Sequence, residues 1–179
     1  FGDRAHAAGD VDGDGYGDLL VAVGDRGARV YLGGPHGLDR ERFFALSGVP
    51  SDWENTQALL GNFDANGDGV TDLAMGEGFS PRVLVWLSSS SAARVTAMTP
   101  PVTLMHTVPS TDPPFYGVLS LAAGDLNGDG FGDLVSAAPL SPPASRGSLF
   151  VWYGGAGAAA LRSDVTRIFD PELERLSES

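Results

Sequence analysis

The chain has 179 residues, of which 42% are hydrophobic, 25 are Gly and none is Cys. Eleven basic residues, all Arg, stand against 23 acidic ones, for a net charge of −12. That balance argues against a nucleic-acid or anionic-membrane surface, and the lack of Cys excludes disulfides, thiol catalysis and Cys-ligated zinc.

No apolar run reaches the roughly 18 residues of a membrane span. The chain opens Phe1-Gly2-Asp3, without an initiator Met or a signal peptide, and reads as an excised segment or a processed product.

In chain order, the first apolar run is Ala7-Ala8-Gly9. It leads into an acidic loop, Asp10-Val11-Asp12-Gly13-Asp14-Gly15-Tyr16-Gly17-Asp18. Three apolar runs follow: Leu19 to Val23, Val30 to Gly33, and Arg42 to Leu46. The same order then recurs. Ala58 to Gly61 precedes Asp64-Ala65-Asn66-Gly67-Asp68-Gly69-Val70-Thr71-Asp72, and Leu73 to Met75, Val85 to Ser88 and Val102 to His106 follow. In the third unit, Leu121 to Gly124 precedes Asp125-Leu126-Asn127-Gly128-Asp129-Gly130-Phe131-Gly132-Asp133. Leu134 to Ala138, Val151 to Gly154 and Val165 to Phe169 follow it. Runs this short, bounded by Gly, Pro and Asp, are strands rather than helices. Only Pro171 to Ser179 has a mildly helical pattern.

The loops start 54 and 61 residues apart. This divides the chain into repeats at 1–52, 53–114 and 115–170, with a tail at 171–179. Four-strand units at such a period predict an all-β fold of three four-stranded antiparallel propeller-type blades. The near-periodic loop position favours this over a sandwich, and the Ala and Gly of the innermost strands suit a crowded axis.

Each loop follows D-x-[DN]-x-D-G-x-x-D. Oxygens at positions 1, 3 and 5 point inward if the chain wraps an ion, Gly at position 6 permits the turn, position 7 offers a carbonyl, and position 9 closes the cage. Six or seven hard oxygen ligands in flexible array suit calcium; no softer metal fits a set without Cys or His. The expected ligands are therefore Asp10, Asp12, Asp14, Tyr16 (carbonyl) and Asp18 in the first loop. They are Asp64, Asn66, Asp68, Val70 (carbonyl) and Asp72 in the second, and Asp125, Asn127, Asp129, Phe131 (carbonyl) and Asp133 in the third. Four acids in the first loop against three in each other predict that it binds at least as tightly. Ten of the 23 acids lie in these loops, so three calcium ions would offset half of the −12. An EF-hand would need Glu at position 12, where Val21, Met75 and Ser136 stand inside expected strands. A dockerin-type loop would continue into a helix.

With these residues the chain resembles the FG-GAP repeats of integrin α-subunit propellers and their bacterial relatives. The third unit carries Phe115-Tyr116-Gly117, Ala137-Ala138-Pro139 and Gly147 to Tyr153 around its loop. The first keeps Phe1-Gly2 but has Val23-Gly24-Asp25 in the second place, and the second unit has Trp53-Glu54-Asn55 and Met75-Gly76-Glu77. The resemblance implies a β-propeller with calcium in the hairpin loop between the first two strands of each blade. It also implies an extracellular, cell-surface or periplasmic setting and a role in adhesion or ligand binding.

Catalytic machinery is not expected. His6, His36 and His106 lie at no triad or metal spacing, and no nucleophile elbow or phosphate loop is present. The function expected is a non-catalytic calcium-binding scaffold. A lectin-like propeller, or an accessory repeat segment of a larger secreted enzyme, is the alternative. Tyr31, Trp86 and Trp152 occupy equivalent strand positions that suit inter-blade packing, or an aromatic platform if exposed. Candidate binding loops are Gly34 to Arg40 and Pro109 to Pro114. Closed propellers have about 4 to 8 blades, so three blades imply further blades of a longer chain or a second copy of this one.

Overall fold

The structure, a computed structural model, describes residues 2–24, 27–88, 101–105, 117–141, 146–157 and 161–168. The tail at 171–179, the loop 109–114, His106 and the Phe115-Tyr116 signature lie outside the described residues.

Among the described residues, twelve strands form three four-stranded sheets. The first holds β1 (Ala5–Gly9), β2 (Asp18–Ala22), β3 (Ala28–Tyr31) and β4 (Phe43–Ala45). The second holds β5 (Thr56–Phe63), β6 (Asp72–Glu77), β7 (Arg82–Trp86) and β8 (Val102–Met105). The third holds β9 (Ser120–Gly124), β10 (Asp133–Ser141), β11 (Arg146–Tyr153) and β12 (Arg162–Ile168). Each is an antiparallel meander in chain order, and none closes on itself.

Side chains alternate across each strand, so each sheet has two faces. On the second sheet both faces are covered. Leu73, Met75, Leu84 and Trp86 pack with Leu20 and Val30 of the first sheet. Ala74, Val83 and Val85 pack with Leu134 and Phe150 of the third. Every residue of β6 is consequently buried. Each large side chain buried this fully contributes roughly 1.5–3 kcal/mol. Trp86 and Trp152 lie inside these two cores, which rules them out as an exposed platform.

The first strands of the three sheets lie side by side, β1 against β5 and β5 against β9. Their small residues permit this approach. A Cβ on Gly61 would sit 2.7 Å from both the Ala7 carbonyl oxygen and the Ala8 Cα. The bulge between Leu60 and Phe63, with Asn62 at a φ of 62°, lets β5 continue past that contact.

At the end of β6 stands a charged cluster. Glu77 is buried and accepts hydrogen bonds from the Glu54 amide (2.7 Å), the Ser80 hydroxyl, and Arg82 Nε (2.6 Å) and Nη2 (2.8 Å). Arg82 also holds both carboxylate oxygens of Asp52 at 3.0 Å. Burial alone would raise the Glu77 pKa. The Arg82, Ser80 and Glu54 donors outweigh it and hold the group below the ordinary glutamate value of 4.5. A pKa lowered on folding stabilises the protein above the unfolded value, and that stabilisation disappears as pH falls through the folded one. Glu77→Gln is therefore expected to cost roughly 1.5–3 kcal/mol near neutral pH, a gap that closes on acidification below 4.5. Urea unfolding across that range checks it. A gap independent of pH would mean that Glu77 acts by shape alone.

Candidate metal centres

The three acidic loops join the first and second strands of each sheet. Their internal hydrogen bonds repeat position by position. In the first, Asp10 Oδ1 accepts the amides of Gly13 (2.6 Å) and Asp14 (3.0 Å), and its Oδ2 accepts that of Gly15 (2.9 Å). Asp64 does the same for Gly67, Asp68 and Gly69, and Asp125 for Gly128, Asp129 and Gly130. The side-chain oxygen of position 3 (Asp12, Asn66, Asn127) accepts the amide of position 5. That of position 5 (Asp14, Asp68, Asp129) accepts the amide of position 7. Tyr16, Val70 and Phe131 thus have their peptides pinned by the loop. Gly at positions 4 and 6 has positive φ in all three loops, 73° and 91° in the first, a region that L side chains enter at a cost.

Position 9 has a second task that the sequence pattern does not show. Asp18, Asp72 and Asp133 are buried at the start of β2, β6 and β10. One oxygen of each accepts the amide of position 2, at 2.8 Å in all three loops. The other accepts the amide just past the third strand: Gly33 (2.8 Å), Ser88 (2.7 Å) and Gly154 (2.9 Å). This carboxylate ties the loop to the sheet as well as facing it. The signal was available in its place as the first residue of an apolar strand, where a charge must be satisfied.

In the first loop, oxygens of Asp10, Asp12 and Asp18 lie within 4.8 Å of one another. Asp14 stands outside that group. The other two loops carry Asn at position 3, so they offer two such carboxylates and an amide oxygen. Each carboxylate oxygen that accepts one amide keeps a lone pair for a cation. In the first loop the donor set is entirely oxygen and close enough to surround one hard ion, so it fits calcium.

The electrostatics point the same way. Burial raises the pKa of Asp12 and of Asp18, with neighbouring acids adding to both shifts. Asp72 is pushed up to about 7 by burial, against the Ser88 and Ala65 amides that hold it down, with Asp64 and Asp68 adding to the rise. Carboxylates this crowded favour a positive charge among them. In the first loop Arg42 supplies part of it, 3.4 Å from Asp12, which offsets the extra acid expected to strengthen that site.

Of the other sequence candidates, the loop Gly34 to Arg40 lies on the same end of the first sheet as its acidic loop. His6 Nδ1 lies 2.9 Å from the Ala7 carbonyl oxygen, and His36 is exposed.

No curated protein matches the chain. Residues 117–160 match the family model of the FG-GAP repeat. The match falls on the unit with the fullest signature, and it covers β9, the acidic loop, β10 and β11. Over these residues the third unit is similar to an FG-GAP repeat, which supports the family resemblance.

Proposed function

We propose that the chain is a non-catalytic, calcium-stabilised β-propeller-type scaffold whose three sheets are blades. It serves adhesion or the binding of a protein or other ligand in an extracellular, cell-surface or periplasmic setting. The observation that carries this is the triplicate loop: one hydrogen-bond pattern built three times from oxygen donors, on sheets stacked face to face around adjacent first strands. Calcium in this reading is structural. An enzyme would need a nucleophile, an acid–base pair or an open metal position, and here the clustered acids are engaged in holding their own loops.

Calcium titration by calorimetry is expected to give three equivalents per chain, falling to two in Asp12→Ala. Fewer than one equivalent at millimolar calcium would sink the reading.

A cleft of about 430 Å³ opens at the other end of the first strands, lined by Asp3, Arg4, His6, Gln57 and Ser120 among others. Its size lies within the usual range for small-ligand sites, and its polar lining favours a lectin-like role as the second reading. A glycan array tests that directly.

A further inference from the structure

Position 3 is the one side-chain ligand position at which the three acidic loops differ, and the difference is matched elsewhere in the first sheet. In every loop one oxygen of that side chain accepts the amide of position 5. The other atom of the group is a donor in two loops. Asn66 Nδ2 donates to the Ser88 carbonyl oxygen (3.2 Å), and Asn127 Nδ2 to Asp129 Oδ2 (2.8 Å). In the first loop it is an acceptor, Asp12 Oδ2, and it faces Arg42 Nη2 at 3.4 Å.

Arg42 is held in place by its own backbone. It stands immediately before β4, where its carbonyl accepts the Leu32 amide (2.9 Å) and its amide donates to the Asp39 carbonyl (3.2 Å). The turn between β3 and β4 thereby delivers the guanidinium to the acidic loop between β1 and β2. The side chain passes Gly34, where a Cβ would lie 3.9 Å from Nη1. The Asp12 side chain is 9% exposed and that of Arg42 49%, so a covered carboxylate meets a cation that water reaches. Among the described residues no other Arg pairs with an acid of the three loops.

The charges then balance. The first loop carries four acids, Asp10, Asp12, Asp14 and Asp18, and Arg42 brings the group to −3. The second, with Asp64, Asp68 and Asp72, and the third, with Asp125, Asp129 and Asp133, stand at −3 by themselves. Ligand charge tunes calcium affinity over several decades in loops of similar build. A half-exposed ion pair contributes little to folding, whereas a fixed positive charge beside a ligand opposes the uptake of a divalent cation there.

We propose that Arg42 is part of the first calcium site and tunes its affinity down to that of the other two, so that the three loops load over one range of calcium concentration. The Asp12–Arg42 pair is the charge equivalent of Asn66 and of Asn127. With Arg42 counted, the fourth acid gives the first site no advantage. This rests on the calcium reading of the loops and uses only contacts within the first sheet.

The test follows the amide NMR signals of Gly15, Gly69 and Gly130, each of which donates to the position-1 Asp of its own loop. The 179-residue chain is titrated with chelator-buffered calcium at low ionic strength. In wild type the three midpoints should agree within about tenfold. Arg42→Gln should move the Gly15 midpoint to roughly tenfold lower calcium, and Asp12→Asn to roughly tenfold higher calcium. The double variant should return to within about threefold of wild type, because it recreates the charge of the other loops. Arg42→Lys keeps the charge and should leave the midpoint where it was. Raised salt should shrink the Arg42→Gln shift by screening. Gly69 and Gly130 should hold their midpoints in every variant, which also reports that the fold is intact. The role of Arg42 is overturned by a Gly15 midpoint that stays or rises in Arg42→Gln, by a double variant that does not recover, or by Arg42→Lys behaving as Arg42→Gln. A wild-type Gly15 midpoint more than about tenfold below the other two overturns the matched loading. If all three signals ignore calcium, the calcium reading itself fails and this proposal with it.

Discussion

If the proposed calcium sites are real, chelation with EDTA is expected to lower the melting temperature of this chain by more than about 15 °C. Each site bound only in the folded state contributes about 2.7 kcal/mol at a hundredfold excess over Kd, so three sites contribute about 8 kcal/mol. Globular proteins have roughly 5–15 kcal/mol in total, and for a chain of this length each kcal/mol moves the midpoint by about 2–4 °C. The loss is compounded by what remains in the empty loops. In the first, three carboxylates stay within 4.8 Å of one another. In the second, Asp72 remains buried beside Asp64 and Asp68. Added calcium should restore the midpoint. Magnesium should restore it poorly, because it demands stricter octahedral geometry and gives up water reluctantly. A midpoint indifferent to EDTA would remove calcium from the account.

All twelve strands are legible in the sequence because the acidic loops set the register of the repeat. Once Asp10, Asp64 and Asp125 are aligned, each flanking run finds two counterparts, and short runs that are ambiguous alone become consistent. What the pattern does not disclose is which strands are covered on both sides. The β6 stretch from Asp72 to Glu77 shows no alternation because a neighbour packs on each face. Glu77 reads as a drifted signature residue, yet it is the buried centre of an ion-pair cluster; its partner Arg82 opens β7, and Asp52, which Arg82 also holds, lies on a turn before β5. In the acidic loops the side chains of positions 1, 3 and 5, which the structure shows accepting the loop's own amides, are legible from their spacing. The amides that position 9 secures are not, since Gly33, Ser88 and Gly154 lie 15 to 21 residues downstream and become neighbours only through the third strand. The exposed Leu126 is equally invisible in one dimension. It reads as an apolar loop residue like Val11 and Ala65, and only the stacking of the blades separates them.

Asp72→Ala is expected to destabilise the chain with or without calcium, whereas Asp68→Ala does so only with calcium. In the proposed calcium site both remove a ligand from the second loop, which would cost about 2.7 kcal/mol at a hundredfold excess of the ion. The rest differs because of where the carboxylates sit. Asp68 accepts the Val70 amide at 2.9 Å on a loop that water reaches, and water replaces it at little cost. Asp72 is fully buried and accepts the Ala65 amide at 2.8 Å and the Ser88 amide at 2.7 Å. Truncation leaves two buried donors unsatisfied, at about 1–3 kcal/mol each. In EDTA the Asp68 variant should therefore match wild type within about 0.5 kcal/mol, while the Asp72 variant remains about 2–6 kcal/mol less stable. If the two variants converge in EDTA, position 9 is a ligand and nothing more. If they stay apart, the same carboxylate that faces the ion also clamps the loop to β6 and to the end of β7, and ion binding is transmitted into the sheet through it.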